Sequence, residues 1–523
     1  MAFGIEQPYL PNEVWDRIFC FLRPTYNDED ETDPNELWGS KWNNTHYDCW
    51  ENKVPPPTSL LNLCLVSKRF YNLVKPSLFK TVVLYDDAAC LRFIVALVRQ
   101  PFLGQHVENL VCEDGWSPLP TEEVRSLCVT ASDAFDAALS SLVLPSKLRR
   151  YFRHGIKWRN GLALIALIIA YCPRLKQLDL KMMHSGDFPW KVLTEVTKVR
   201  EVKEQSHLRL LSAGHLSRLR KLRLITTEPC SRKGQTQLAV PFKLPNLGTL
   251  ICDFSWGGFY DRKLAMIPDY VGLRRLNLIE PDLSQGELVN LFRHTPELRV
   301  FQVKLASFNT SWRGFLTTLG TVGGALRYYS NHCKDNGRSH LETLVIHSDK
   351  HASRAVETIE SLQPLINLRR LSIKLRDLVG PLHLRHRYDD WQFSWEGPDL
   401  VEVAISASDS PPLTIDQELP NTLEVLEIQH DWDRIHWIVE YFHHQVTLMI
   451  SNENRANLHR VVLQLETNGF VHLSYTRNTD KRWTITSYNS ELNTGLSKAL
   501  EACPMMADGL FTVLYNERPD IVE

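Results

Sequence analysis

The side chains with the clearest potential for binding chemistry are lysines and arginines that recur at alternating positions of short apolar segments. Guanidinium and ammonium groups form charge-assisted hydrogen bonds with carboxylates and phosphates. Later segments of the same kind carry the acidic residues Glu402 and Glu427. This pattern predicts a site for a binding partner of complementary charge, such as a phosphorylated peptide bound by Arg223 and Arg275. A solvated face without a ligand is the alternative at each position. The basic candidates are Lys181, Lys221, Arg223, Arg275, Lys304, Arg370 and Lys374.

Motifs for enzymatic catalysis are missing from the sequence. Neither G-x-G-x-x-G nor G-x-x-x-x-G-K-[ST] occurs, and the glycine run at 320–324 lacks a lysine and is predicted to end a helix. The G-x-S-x-G pattern of a serine nucleophile is also absent. We therefore expect a protein that is not an enzyme and that needs no cofactor.

Histidine and cysteine spacing gives little support for a metal site. His347 and His351 are four residues apart, but they follow a predicted strand and lack the glutamate of H-E-x-x-H. His443 and His444 lie in an amphipathic stretch, which predicts a surface or core role without a metal. The 11 cysteines include no C-x-x-C pair. This argues against a zinc module or a disulfide framework and favours a reducing compartment.

Composition and charge are those of a folded protein without an overall affinity for polyanions. In 523 residues, 59 Lys and Arg nearly balance 61 Asp and Glu, which argues against nucleic-acid and membrane partners. The basic cluster at 149–159 is predicted to be a solvated helix face. The most apolar stretch, 161–172, is too short to span about 30 Å of hydrocarbon, so it predicts a buried helix. The first residues lack a basic start followed by an apolar run, so we expect a cytoplasmic or nuclear location, or both.

A short apolar motif, L-x-x-L-x-L with conservative exchanges, recurs along most of the chain. The copies that begin at 219, 247, 273 and 298 follow one another at steps of 28, 26 and 25 residues. Positions 4 and 6 lie on one face of a short strand, and helical segments often closed by proline precede the copies. A strand plus a helix at this period is typical of a leucine-rich repeat solenoid, in which stacked units share one core. Good copies begin at 175, 219, 247, 273, 298, 341, 368, 400 and 423, and weaker copies begin at 107 and 458.

Composition divides the chain into three zones. The first, 8–84, contains two apolar helical segments separated by a polar, proline-containing insert at 24–59, which is predicted to be a surface loop. The second, 88–465, contains the repeats. The third, 466–523, is predicted to be a C-terminal cap, with a strand at 482–488 and a helix at 490–503, because terminal repeats need a polar outer face.

The first zone carries an ordered set of short motifs. They are L-P-N-E at 10–13, I-F at 18–19, Leu22, L-L-N-L-C-L-V-S-K-R-F at 60–70 and P-S-L-F at 76–79. This segment resembles an F-box, especially the form common in filamentous fungi, although the insert separates its two halves. A loop tolerates such an insertion at low entropic cost. With the repeats, the resemblance implies an α/β fold in which a small N-terminal helical F-box is followed by a leucine-rich repeat α/β solenoid.

The resemblance also implies a function. F-box proteins bind the Skp adaptor and, through it, the cullin and RING subunits of an SCF ubiquitin ligase, while the repeats select a protein substrate for ubiquitination. The alternatives are a repeat scaffold that binds the adaptor without cullin-dependent ubiquitination, and an unrecognised hydrolase formed by the insert and the cap. Each adaptor-facing residue has a second possible role, which is to hold the F-box helices together. Carried over by position, these residues are Leu10, Pro11, Ile18, Leu61, Leu65, Val66, Phe70 and Leu73.

Overall fold

The computed structural model divides the chain into two compact units, Met1–Pro268 and Asp269–Glu523. The predicted residues Leu10, Pro11 and Ile18 lie outside the described residues, and so does most of the predicted insert. The residues that the structure describes are 58–85, 87–112, 135–136, 139–140, 146–157, 161–182, 216–226, 241–244, 246–253, 272–279, 283–305, 319–336, 340–348, 359, 362–379, 415, 419–431, 435–451, 455–466, 470–487 and 511–515.

The first unit combines helices with parallel strands. Its α-helices are α1 (Thr58–Val66), α2 (Lys68–Leu78), α3 (Asp87–Arg99), α4 (Ser146–Lys157) and α5 (Gly161–Tyr171), and 3-10 helices span Pro101–Gln105 and Pro241–Lys243. Its strands are β1 (Thr81–Leu84), β2 (Asn109–Cys112), β3 (Gln177–Met182), β4 (Lys221–Thr226) and β5 (Thr249–Asp253). Helix α1 begins at Thr58, so the last two residues of the predicted insert, 58 and 59, are helical.

The strands of the first unit pair in chain order, and every pair is parallel. The fourth motif positions are in register, since Leu178 pairs with Leu222 and Leu222 pairs with Leu250. These leucines are fully buried, and the predicted apolar helix α5 is buried as well. Stacking each strand on the preceding one therefore gives the unit a continuous row of buried leucines.

The second unit begins with parallel strands that alternate in part with helices. Its helices are α6 (Gln285–His294), α7 (Leu319–Asn336), α8 (Leu375–Val379) and α9 (Ile435–Ser451). Its strands are β6 (Arg275–Ile279), β7 (Val300–Leu305), β8 (Thr343–Ser348), β9 (Arg370–Lys374), β10 (Val425–Asp431), β11 (Arg460–Glu466), β12 (Phe470–Arg477), β13 (Trp483–Ser487) and β14 (Phe511–Tyr515).

Strand direction changes within the second unit. The pairs from β6 to β11 are parallel, β11–β12 and β12–β13 are antiparallel, and β13–β14 is parallel.

A reciprocal capping box starts α6, in which Ser284 accepts from the backbone N–H of Glu287 and the Glu287 carboxylate accepts from the Ser284 backbone. This arrangement satisfies two amide donors at the helix start and fixes where α6 begins.

The mixed α/β class predicted from the repeats is confirmed, and β3 to β11 each begin at the third position of a motif copy. The copy at 400–405 and the helix predicted at 490–503 lie outside the described residues. One local prediction is wrong, because the glycine run at 320–324 lies inside α7 and does not end it. Within the described part of the chain, no helix is both long and apolar enough to cross a membrane.

Candidate functional site

Helices α1 and α2 form a hairpin whose two arms meet at Ser67. The Ser67 hydroxyl accepts a hydrogen bond from the backbone N–H of Phe70, with 3.1 Å between donor and acceptor, and caps the start of α2. Inside the hairpin, Leu60 and Val74 are fully buried. The partly buried side chains that pack against this pair include Phe70 and Leu73. Two residues of the predicted adaptor-binding set therefore contribute to the hairpin's own core.

Three other residues of the predicted set lie on the outside of the hairpin. The exposed fractions are 45% for Leu61, 85% for Leu65 and 66% for Val66. We call these three residues the hairpin surface. Exposed large apolar side chains that cluster on one element are typical of an interaction site, whereas scattered ones are normal. The predicted adaptor-binding residues of the hairpin are thus divided between its packed interior and its exposed surface.

A lysine connects α2 to the segment that follows α3, a contact that the sequence analysis did not identify. Lys75 is almost fully buried, and its ammonium donates to the Gln100 side-chain oxygen across 3.0 Å. The same nitrogen lies 3.9 Å from the ring centroid of Phe102 and 5.2 Å from that of Tyr71. A buried ammonium needs such compensation, because leaving it unpaired would be costly. In the sequence, the signal for this buried contact is limited to the position of one lysine among apolar residues.

In the first unit, the predicted substrate-facing cations lie on neighbouring parallel strands. Lys221 and Arg223 are half-buried on β4. Lys181 lies on β3 and pairs in register with Ile225, two residues beyond Arg223. Asp179 is buried on β3 directly opposite Arg223. An acidic side chain thus stands beside the cations, so this part of the sheet is less basic than the predicted residues alone suggest.

In the second unit, the predicted cations are less accessible than expected. Arg275, Lys304 and Arg370 are half-buried, and Lys374 has an exposed fraction of only 1%. Burial of Lys374 differs from the accessible position that either a substrate contact or a solvated face would require. Its neighbours on the same side of the sheet are also buried polar residues, which include Asn277, Gln302 and Ser372.

A buried polar network crosses the same part of the second unit. The Gln429 amide donates to the Ser372 hydroxyl over 3.2 Å, and the Gln429 side-chain oxygen lies 2.8 Å from Nδ1 of His347. Glu427 is also buried, and desolvation raises the pKa of its carboxyl to about 7 although Arg460 and Arg370 act to lower it. The acidic character predicted for this strand is therefore weakened near neutral pH.

Two of the candidate histidines, His347 and His443, take part in side-chain hydrogen bonds. His443 is buried, and its Nδ1 lies 2.9 Å from the Tyr475 hydroxyl; desolvation and the charge of His444 lower its pKa to about 4. His444 is exposed, while His351 lies outside the described residues. The described residues contain no group of three or more His, Cys, Asp or Glu side chains placed to hold a metal ion.

No protein-family model matches this chain, and no curated protein matches it significantly.

Proposed function

We propose that the protein is the substrate-recognition subunit of an SCF-type ubiquitin ligase and that α1 and α2 belong to its F-box. The exposed hairpin surface of Leu61, Leu65 and Val66 is the observation that carries this proposal. Three large apolar side chains on one short helix favour a protein partner, because each contributes about 1.5–3 kcal/mol when fully buried. The Skp adaptor is the partner that the F-box motifs imply, with a cullin and a RING subunit joined through it in the cytoplasm or the nucleus.

The remainder of the chain is proposed to be a leucine-rich repeat solenoid that binds a protein substrate. Support comes from the parallel pairing of successive strands and from the register of their fourth motif positions. Within the second unit, for example, Phe301 pairs with Leu344 across β7 and β8. The half-buried cations, Lys221 and Arg223 in one unit and Lys304 and Arg370 in the other, are the proposed substrate contacts. The subunit itself performs no catalysis in this proposal.

The decisive experiment places a charge on the hairpin surface. Leu65→Asp in the full chain is expected to weaken binding of the purified Skp adaptor by about a hundredfold, because the carboxylate would be desolvated in the interface. Thermal unfolding is expected to be unchanged, since Leu65 is 85% exposed. Leu448→Asp is the matched control, because Leu448 is an exposed leucine on α9 in the other unit.

Binding by titration calorimetry and reconstituted ubiquitination distinguish the candidate functions. Loss of adaptor binding in Leu65→Asp alone supports the F-box assignment. Absence of binding by the wild-type chain overturns it. If the wild-type chain binds the adaptor but never recruits a cullin or supports ubiquitin transfer, the scaffold alternative replaces the ligase subunit.

A further inference from the structure

Four exposed cations lie where two neighbouring strands of the first unit begin. Lys176 and Arg220 occupy the second motif position, directly before β3 and β4. The backbone N–H of Arg220 donates to the carbonyl oxygen of Lys176 across 2.7 Å, so these two residues lie side by side. Arg174 and Arg218 occupy the position just before the first leucine of the same two copies, in the turns that lead into the strands. We call these four residues the basic rim.

The turns that carry Arg174 and Arg218 stack as the strands do. In the next copy the corresponding residue is Asn246, whose side-chain amide donates to the backbone carbonyl of Ser217. In the preceding copy it is His106, whose pKa is lowered by desolvation and by nearby positive charge that includes Arg174. Because successive strands lie about 4.8 Å apart, Arg174 and Arg218 are neighbours, and an uncharged residue follows them.

Carboxylates at the second motif position show which chemical group pairs with cations there. Three glutamates occupy this position, and each forms ion pairs with cations of adjacent strands. The pairs are Lys80–Glu108, Lys176–Glu108, Arg299–Glu342 and Arg369–Glu424, with nitrogen–oxygen distances of 3.3, 2.9, 3.5 and 3.5 Å. One carboxylate, that of Glu108, bridges two strands at once. A carboxylate is thus the natural partner for a cation at this position.

Arg220 departs from this pairing. Its neighbours at the second motif position are Lys176 on one side and Gly248 on the other, both joined to it by backbone hydrogen bonds. Like charges on adjacent strands destabilise a sheet. A Cβ atom on Gly248 would approach no atom more closely than 3.7 Å, so the space beside Arg220 is open. A local arrangement that opposes stability is expected where a protein binds a ligand.

We propose that the basic rim binds an acidic polypeptide segment that presents at least two carboxylates. One carboxylate would bridge Lys176 and Arg220 as Glu108 bridges two lysines, and the other would pair with Arg174 and Arg218, whose guanidinium groups bind carboxylates bidentately. A nucleic-acid backbone needs cations along its length, whereas these cations are confined to two consecutive copies. The site includes none of the predicted adaptor-binding or substrate-binding residues, so the inference goes beyond the proposed function.

Charge reversal at Arg220 tests the site in the full chain. Arg220→Glu is expected to weaken binding of a fluorescein-labelled hexaglutamate peptide about tenfold, as measured by fluorescence anisotropy. Arg218→Glu is expected to have a similar effect. Arg274→Glu is the matched control, because Arg274 is exposed at the same motif position in the second unit and the change in net charge is identical. It is expected to leave the affinity unchanged. Thermal unfolding verifies that the three variants remain folded.

Three results would overturn the proposal. They are absence of hexaglutamate binding by the wild-type chain, equal weakening in Arg220→Glu and Arg274→Glu, and tighter binding of a phosphoserine peptide or an oligothymidylate than of hexaglutamate. Equal weakening would mean non-specific attraction, and tighter binding of the other probes would mean a phosphate or nucleic-acid site. Adaptor binding, measured on the same proteins, is expected to be lost in Leu65→Asp and kept in Arg220→Glu. Failure of the proposed function is therefore distinguishable from failure of the basic rim.

Discussion

At the residue scale, Glu427 is a carboxyl group whose surroundings favour its neutral form. It is buried on β10, opposite Ser372 of β9 and Val462 of β11. Arg370 and Arg460 are both in register with Val425, two residues before Glu427 on the same strand, and they favour the charged form. Desolvation nevertheless dominates, and the pKa rises to about 7. The stability of the second unit is therefore expected to depend on pH through the protonation state of Glu427.

Protonation of Glu427 predicts a stability that declines as pH increases. Between about pH 4.5 and 7, the folded carboxyl retains a proton that the unfolded carboxyl has released. Because the folded state binds more protons there, the free energy of unfolding decreases as pH rises through this window. Glu427→Gln is expected to flatten the decline, as measured by thermal unfolding at pH 5, 6, 7 and 8.

The comparison between wild type and Glu427→Gln isolates this residue from His443, which has the opposite sign. The pKa of His443 falls from 6.5 to about 4 on folding, so its contribution is lost as pH decreases through that range. His443 is present in both proteins, and its effect cancels in their difference. Identical pH profiles for the two proteins would show that Glu427 does not contribute.

The sequence predicted that the hairpin has a buried apolar face, but it did not predict which of its apolar side chains are buried and which are exposed. The apolar spacing in 60–74 predicts helices with a buried face, and Leu60 and Val74 confirm this. It does not separate Phe70, which packs on that core, from Leu65, which is exposed. The distinction depends on how α1 crosses α2, and the same apolar residue types satisfy either role. The burial of Lys374 was not predicted for a similar reason. Strand alternation indicates on which side of the sheet a side chain lies, but it does not indicate whether other residues cover that side.

At the element scale, the 3-10 helix Pro101–Gln105 packs against the end of α5 through a glycine. A Cβ atom on Gly104 would overlap the backbone carbonyl oxygen of Tyr171. Backbone atoms cannot move aside as a flexible side chain can, so this close approach requires glycine. The packing of this short helix, and with it the position of Phe102, thus depends on one residue.

Gly104→Ala is expected to destabilise the first unit by about 1–3 kcal/mol, the usual cost of overpacking. Gly286→Ala is the control, because a Cβ on Gly286 in α6 meets no atom within 4 Å. That change is expected to be neutral or to stabilise by up to about 1 kcal/mol. Chemical denaturation combined with hydrogen exchange in α5 measures both effects, and equal behaviour of the two variants would contradict the packing argument.

Strands were more predictable from sequence than the helices between them. The motif specifies where a strand begins, because its alternating leucines must reach one buried row, as Leu178 and Leu222 do. Helices lack such a constraint. Gly324 was expected near a helix end, yet it lies within α7, where a Cβ would meet the Gln285 side chain of α6. A contact between two helices decides that position, and no short sequence pattern encodes it.

At the scale of the whole molecule, the near-neutral charge conceals a local imbalance. The formal net charge is −2, whereas residues 58–80 carry basic side chains and no acidic ones. Net charge governs solubility and non-specific attraction, but a local basic surface governs how a particular partner approaches. Electrostatic attraction of this kind acts mainly on the association rate.

If the proposed Skp adaptor binds at this basic segment, ionic strength is expected to slow its association without greatly changing its dissociation. Raising NaCl from 50 to 500 mM shortens the Debye length from roughly 14 Å to roughly 4 Å, and we expect the association rate constant to fall about tenfold. Lys68→Glu should reduce both the rate and its salt dependence, whereas Lys481→Glu, which changes the net charge equally at an exposed turn of the second unit, should preserve both. Stopped-flow fluorescence measures these rates. An association rate that does not respond to salt, or that responds equally in the two variants, would contradict a role for the basic segment in binding the proposed adaptor.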